Sequence, residues 1–395
     1  HCADLGPLGD SSFALWAPGL SPTSRACCRN WDAPLYEAWH ALKNVQQPPR
    51  FTFIELFAGI GGFRLGLESL GGACVFACEE DLSARSTYRR NFADIDGAAQ
   101  PLIDVRCVST ADLPAFDILT AGFPCQPFTQ TNTNRQGLNC ENGQLIFEVV
   151  RILRDCQPAA AVLENVPDLL TSRNRADFQK IVIALQEAGY AVGWQLISAE
   201  HFVPQIRLRL YIVCIRCDLH NPDPNLQPER TMNAQDGDYG GEGVIRWLEL
   251  EPQKHAESTL SVKGILETEA SNSTLDAYTL REEQWAKVVA FEERKNNRCL
   301  EKRLVQLDGQ ARTLISHYKE NLYFSQFVPQ AGSRPRFFTP RECARLMGFP
   351  DSFMPGVTCF PGSRWLPDVK ESSFYRQLGN AVVPAVIKEI GVRIL

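Results

Sequence analysis

Phe51-Thr-Phe-Ile-Glu-Leu-Phe57-Ala-Gly59-Ile-Gly61-Gly62-Phe63-Arg-Leu-Gly-Leu-Glu-Ser-Leu70 is the stretch that decides the fold. Its first seven residues are rich in aromatic and other strand-forming side chains. A glycine turn follows, and Phe63–Leu70 continues at helical spacing until Gly71-Gly72 stops it. Glycines let a backbone approach a ligand closely, and the start of the following helix offers N–H groups. A second apolar run, Ala73–Cys78, ends at Glu79. An acid at the end of a second strand suits the two hydroxyls of a ribose. Taken alone, the pattern points to a cofactor containing a nucleoside. The spacing Gly59-x-Gly61-Gly62 departs from the dinucleotide pattern G-x-G-x-x-G because position 64 is Arg, which weakens a nicotinamide reading.

Outward from this stretch, the spacing predicts a helix over Ser83–Phe92 and strands over Phe116–Ala121, Ala159–Leu163, Val192–Ile197 and Leu210–Ile215. Helices are predicted over Leu145–Asp155 and Arg175–Gly189. Alternating strands and helices at this interval predict an α/β fold: a doubly wound, mainly parallel sheet with helices on both faces. Residues 1–50 are irregular, contain Cys27-Cys28, and read as an extension of unknown role ending at Gln46-Gln47-Pro48-Pro49. The chain starts at His1, as a fragment, a processed product or an incomplete gene reading would, and residues 1–20 show no signal-peptide pattern.

The composition narrows the partners. The 395 residues carry a net charge of −6, which excludes a polybasic protein holding nucleic acid by bulk charge. The charge is uneven. Residues 217–280 hold 12 acidic and 4 basic residues, net −8, and include the Gly240-Gly241-Glu-Gly243 cluster; residues 281–345 hold 8 acidic and 13 basic, net +5. The basic stretch either faces a polyanion or is a solvated helical face around Arg281–Arg303. No apolar run approaches the ~20 residues of a membrane span. The 14 cysteines among 395 residues are too few for a disulfide scaffold and suit buried thiols of a reduced protein. Cys214-x-x-Cys217 is a single pair and Cys74 and Cys78 sit on a core strand, so no metal site is expected.

Three further constellations carry chemistry. In Asp117-Ile-Leu-Thr-Ala-Gly-Phe-Pro124-Cys125-Gln126-Pro-Phe128 a strand delivers a cysteine into a proline-bounded loop. A lone cysteine is usually a buried hydrophobe, but one fixed at a strand end is more often a nucleophile. In Ala159-Ala-Ala-Val-Leu-Glu164-Asn165-Val166-Pro167 an apolar strand ends in a carboxylate, either a proton donor with a raised pKa or a cap of the next helix. In Gln205-Ile-Arg207-Leu-Arg209 alternation sets two guanidiniums on one side of an extended segment, for substrate oxygens or for surface ion pairs. Thiolate, carboxylic acid and guanidiniums beside an adenosine-type pocket suit addition to an electron-poor heterocycle.

These segments closely resemble the C5-cytosine-specific DNA methyltransferases that use S-adenosylmethionine. The resemblance runs from about Phe51 to Leu395. It includes the turn Phe57–Phe63, Gly122-Phe-Pro124-Cys125-Gln126, Arg135-Gln-Gly137-Leu138, Glu164-Asn165-Val166 and Gln205-x-Arg207-x-Arg209. It closes with Pro340-Arg341-Glu342-Cys343-Ala-Arg345-Leu-Met-Gly348 and Gln377-Leu-Gly379-Asn380-Ala-Val382-Val383-Pro384, in the family's order. The resemblance implies that Cys125 attacks C6 of a cytosine swung out of the duplex. It implies that Glu164 contacts N3 and the exocyclic amine, that Arg209 holds O2, and that Arg207 supports the cysteine's surroundings. It assigns S-adenosylmethionine to Phe57, Gly59, Gly61, Glu79, Asp104, Pro124, Leu145, Asn380 and Val382, and the substrate to Gln126 and Thr313. The segment from Pro124 to about Gly143 is the expected lid over the base.

The implied organisation is an extension (1–50), a catalytic domain (51–216), a smaller target-recognition domain (217–335) and a return to the catalytic domain (336–395). The implied partner is double-stranded DNA, met by a monomer with no membrane attachment and a cognate restriction endonuclease acting separately. The setting would be the cytoplasm or nucleoid of a prokaryote, or a eukaryotic nucleus. The tRNA-methylating branch of the same family is the alternative, but its Cys-Phe-Thr signature is missing from the recognition region.

Overall fold

Strand β1 (Phe51–Leu56) lies second from one edge of a six-stranded sheet, between β2 (Gly72–Cys78) and β3 (Ile118–Ala121). Then come β4 (Ala160–Asn165), β7 (Leu208–Arg216) and, at the far edge, β5 (Tyr190–Ser198). The first four strands pair in parallel, while β7 runs antiparallel to both neighbours. Five of the six strands therefore point one way, as the mainly parallel expectation required. The reversal has a local cause: only residues 199–207, including the short β6 (Gln205–Ile206), join β5 to β7. That is too short for a parallel crossover, which takes a dozen or more residues. The structure is a computed structural model that describes residues 48–92, 104–128, 137–219, 260–267, 275–294, 300–355 and 369–395. The N-terminal extension up to residue 47, the centre of the expected lid (129–136) and most of the acidic stretch, with its glycine cluster, lie outside the described residues.

Successive strand residues feed opposite apolar layers. Phe53, Ile118 and Val162 join one cluster, whereas Ile54, Leu119 and Ala161 join the other. Both faces of the strands are buried, so they read as continuous hydrophobic runs. Helices cover the two faces. On one, α3 (Glu141–Cys156) and α4 (Arg175–Glu187) bury Ile146, Val149, Leu153, Phe178 and Ile181 at helical spacing. On the other, α1 (Gly62–Glu68) packs with the C-terminal helix α8 (Pro384–Ile394), with Leu67, Ile387 and Ile390 inside the same core. Helix α2 (Leu82–Asn91) follows β2, its first turn capped by Asp81, which accepts from Ser83 and Ala84 backbone N–H groups.

The described residues between 275 and 346 extend this second core. Val288 of α5 (Glu282–Arg294), Leu314, Tyr318, Phe327 and Phe338 belong to the cluster that holds Phe53. Trp285 meets Phe327 edge to face at 6.1 Å. The basic stretch is thus not a wholly solvated face: Glu292 and Arg303 form a buried pair. Strand β8 (Ala311–Arg312) pairs with β6. Helix α6 (Pro340–Leu346) starts with a capping box between Thr339 and Glu342. Glu342, fully buried, also grips Arg336 through two hydrogen bonds of 2.7 and 2.8 Å. Helix α7 (Glu371–Asn380) precedes the last turn before α8.

Candidate active site

Strand register brings the sequence motifs to one edge. Leu56 pairs with Cys78 on one side and Ala121 on the other, and Ala121 pairs with Leu163. The residues immediately beyond these ends are Phe57, Glu79, Gly122 and Glu164. The same edge receives the start of β7, because reversed β7 sets Leu210 opposite Asn165 and Arg209 opposite Ile197. Only a reversed strand could present its first residues there, so Arg209 owes its place to the topology. Ligands in open α/β sheets bind outside this carboxyl edge.

Glu164 is 8% exposed and its Oε1 lies 3.2 Å from Arg209 Nε. Burial raises the Glu164 carboxyl above the ordinary carboxylate range, and Arg209 and Arg207 oppose the shift. Cys125 is half-buried in the loop after β3, where its carbonyl accepts the Phe128 N–H at 2.9 Å. Burial first, then the Glu164 charge, raises its thiol above the ordinary value, while Arg209 pulls it down. The three groups thus share one electrostatic environment. A Cβ on Gly122 would stand 3.8 Å from Glu164 Oε2 and 3.7 Å from the Phe63 ring, so the cysteine loop runs directly beside the carboxylate and the cofactor turn.

Arg207 and Arg209 do not do the same work. Arg207 is 2% exposed and donates to three backbone carbonyls, of Leu314 (3.2 Å), Gly379 (2.9 Å) and Ala381 (2.8 Å). Burial, then repulsion from Arg209, lowers its guanidinium to about 9. It fastens the strand carrying Arg209 to the segments around Thr313 and Asn380. Thr313 Oγ1 donates to the Ile206 carbonyl at 2.8 Å, and Gln205 joins Leu314 N to the Leu346 carbonyl. Residues far apart in sequence therefore meet behind the catalytic edge. At this junction Gly379 lies backbone to backbone on Ile315-Ser316: an added Cβ would stand 2.5 Å from their atoms.

The glycine turn has the shape of a cradle. Phe57 (φ 55°), Gly59 (φ 56°) and Gly61 (φ 87°) are all left-handed. For the non-glycine Phe57 this costs of order 1 kcal/mol, held in place by its surroundings. The space outside Gly59 is open, with nothing within 4 Å of a built Cβ. Glu79 accepts the Gly59 and Asp81 backbone N–H groups, both at 2.7 Å. Burial raises its carboxyl above the ordinary range. A half-buried carboxylate held by backbone donors, with lone pairs to spare, fits two ribose hydroxyls. The helix N-terminus differs from the sequence expectation: the Arg64 N–H is already taken by Glu55 at 2.9 Å.

Other expected residues fall as follows. Asp104 accepts from the Arg106 backbone and guanidinium, which hold its carboxyl below the usual value. Pro124 is half-buried, Gln126 exposed and Asn380 exposed at the end of α7. Val382 is 6% exposed and packs on Gly62 at the start of α1. Leu145 lies inside the core cluster that holds Ile54. Sequence reasoning missed Asn165, which donates to the Phe123 carbonyl at 3.1 Å, and Asn174, which donates to the Phe128 carbonyl at 3.0 Å. Together they pin both ends of the cysteine loop. Asn165 stood inside a quoted motif; Asn174 carried no signal.

A model of the family described as C-5 cytosine-specific DNA methylase matches residues 51–395. The type II methyltransferase M.DsaV of Dactylococcopsis salina is 35% identical over 353 residues, covering 88% of this chain and 86% of that protein. The type II methyltransferase M.HpaII of Haemophilus parainfluenzae is 32% identical, covering 92% and 94%. Among solved structures, the S. pombe Dnmt2 methyltransferase superposes with a TM-score of 0.59 at 21% identity, covering 87% of this chain and 98% of its own, which speaks to the fold alone.

Proposed function

Since the chain belongs to the C-5 cytosine-specific DNA methylase family, we propose that Cys125, Glu164 and Arg209 are the groups that act on the cytosine. The chain is a DNA (cytosine-5)-methyltransferase akin to type II modification enzymes. The observation that carries the assignment is the 3.2 Å Arg209–Glu164 pair at the sheet edge, in electrostatic contact with Cys125.

The family uses S-adenosylmethionine, which when bound supplies a methyl group on a positively charged sulfur. Glu79, the turn Phe57–Gly61, Asp104, Pro124, Leu145, Asn380 and Val382 would hold or border it. C5 of cytosine is a poor nucleophile. Cys125 gives its thiol proton to water and adds as the thiolate to C6, and the electron pair displaced from the C5–C6 double bond spreads toward N3 and O2. Glu164, whose carboxyl burial raises above the ordinary carboxylate range, donates a proton toward N3, and the Arg209 guanidinium holds O2. The ring is then enamine-like and nucleophilic at C5. Once C5 carries the methyl group, water takes the C5 proton, the C5–H electron pair re-forms the C5–C6 double bond, and Cys125 leaves C6 as the thiolate. Without a base between them, Glu164 and Arg209 neutralise each other.

Such chemistry needs the cytosine out of the stack, at an unstacking cost of a few kcal/mol. Gln126 and Thr313 border the path of the extruded base, and the segment from Pro124 to about Gly143 closes over it. Residues 217–335 serve target recognition, with DNA contact mainly from the basic half, while 51–216 and 336–395 carry catalysis. Among the described residues no helix is long and apolar enough to cross a membrane. The bacterial type II relatives support action on cytoplasmic or nucleoid DNA; the enzyme acts as a monomer, and its product protects sites from a cognate endonuclease. The test is methylation of complex DNA and of tRNA with labelled cofactor, followed by base-resolution mapping. Sequence-specific 5-methylcytosine in DNA, abolished in Cys125→Ala, is expected. Label in tRNA alone, or unchanged activity in Cys125→Ala, would overturn the assignment.

A further inference from the structure

Behind the glycine turn lies a charged cluster that methyl transfer does not use. Glu55 of β1 is fully buried. One oxygen accepts the Arg64 backbone N–H at 2.9 Å, in the first turn of α1; the other accepts the Tyr88 hydroxyl of α2 at 2.7 Å. The Arg64 guanidinium, itself 1% exposed, reaches Tyr88 Oη at 3.3 Å and Glu68 at 2.7 Å and lies 4.3 Å from the centre of the Phe92 ring. That ring occupies the place a side chain on Gly61 would take, 2.3 Å from a built Cβ. Well-packed apolar residues would fill such a volume at lower cost. A satisfied polar cluster instead fixes one geometry, and the geometry fixed here is that of the turn.

We propose that Glu55 and Tyr88 are positioning residues for the cofactor, holding the turn Phe57–Gly61 in its left-handed form through Arg64 and so setting cofactor affinity. This rests on the assignment of that turn to S-adenosylmethionine. Glu55 stands two residues before Phe57, and its bond to Arg64 closes the far side of the turn. The cluster also makes the affinity depend on pH. Burial pushes the Glu55 carboxyl up to about 7, against the pull of Tyr88 and Arg64. The titratable and charged groups facing it among the described residues are Arg64 and Glu68 from α1, Tyr88 from α2 and Cys74 from β2. Tyr88 is pushed well above its ordinary range and Cys74 up to about 12, so both keep their protons. Glu55 changes charge near neutrality, and the ionised form is the stronger acceptor for both donors.

Calorimetric titration of the full chain with S-adenosylhomocysteine at pH 6 and pH 8 tests this. Wild-type affinity is expected to rise several-fold from pH 6 to pH 8. Tyr88→Phe, which deletes one oxygen, is expected to bind about tenfold more weakly at pH 8. Glu55→Gln is expected to lose most of the pH difference while Glu79 is left intact. Wild-type affinity in Tyr88→Phe, or an undiminished pH difference in Glu55→Gln, overturns the inference; Tyr88→Phe decides alone should Glu55→Gln fail to fold. A wild-type chain that binds nothing at either pH instead defeats the cofactor assignment itself.

Discussion

Gly379→Ala adds a single methyl group where the end of α7 meets residues 315–316. The built Cβ stands 2.5 Å from the Ile315 carbonyl carbon and from Ser316 N and Cα. Ordinary contact begins near 3.4 Å, so the end of α7 must retreat from residues 315–316 by about 1 Å. All three atoms are backbone, so no rotamer change relieves the clash. Overpacking of this kind costs about 1–3 kcal/mol, and at about 2 °C per kcal/mol for a chain this size the melting temperature falls by about 2–6 °C. The retreat also draws the Gly379 and Ala381 carbonyls away from Arg207, whose bonds to them are 2.9 and 2.8 Å. A displacement of about 1 Å near a reacting centre can lower the rate about 100-fold. Differential scanning calorimetry and single-turnover methyl transfer to duplex DNA measure both effects. A variant that melts within 1 °C of wild type and turns over at the same rate would show that Gly379 does not carry this contact.

Other perturbations have equally definite outcomes. Arg209→Met removes a donor to O2 and lowers kcat about 10²–10³-fold. Because Arg209 holds both Cys125 and Glu164 down, both limbs of the residual pH–rate profile move to higher pH in this variant; unmoved limbs would break the assignment. Glu342→Gln breaks the two-pronged bond to Arg336 and leaves a buried guanidinium without its counter-ion, a loss of about 3–5 kcal/mol by chemical denaturation; a loss under 1 kcal/mol would mean the pair is dispensable. Glu55 releases its proton near 4.5 when unfolded but near 7 when folded. The folded state therefore binds more protons between those values and loses about 3 kcal/mol as pH rises through them. Urea unfolding at pH 5 and 7.5 should show that slope in wild type and a smaller one in Glu55→Gln.

The parts of the site legible in the sequence were those set by local pattern. Strand ends at Leu56, Ala121 and Asn165 follow apolar runs, and the residue at or after each end carries chemistry. Parallel register then aligns them without any further information. What pattern could not disclose depends on partners distant along the chain. Arg207 and Arg209 alternate like twin ligands, yet Arg207 turns to carbonyls at positions 314, 379 and 381. Glu55 reads as one more strand residue until Tyr88, 33 positions later, closes on it. The reversal of β7 was likewise hidden, because the apolar run Leu210–Ile215 is the same in either direction.

That reversal also governs where the chain goes next. Strand β7 enters at the catalytic edge and leaves at Arg216, which pairs with Tyr190 and donates to the Ala159 carbonyl at the opposite end of the sheet. The chain thus leaves the sheet at the end remote from the cleft, where Asp218, paired with Arg216, stands away from the catalytic edge. The same exit is a natural grafting port. A fluorescent protein or second DNA-binding module inserted after Asp218 would be tethered behind the enzyme, leaving the methylating edge clear for its substrate.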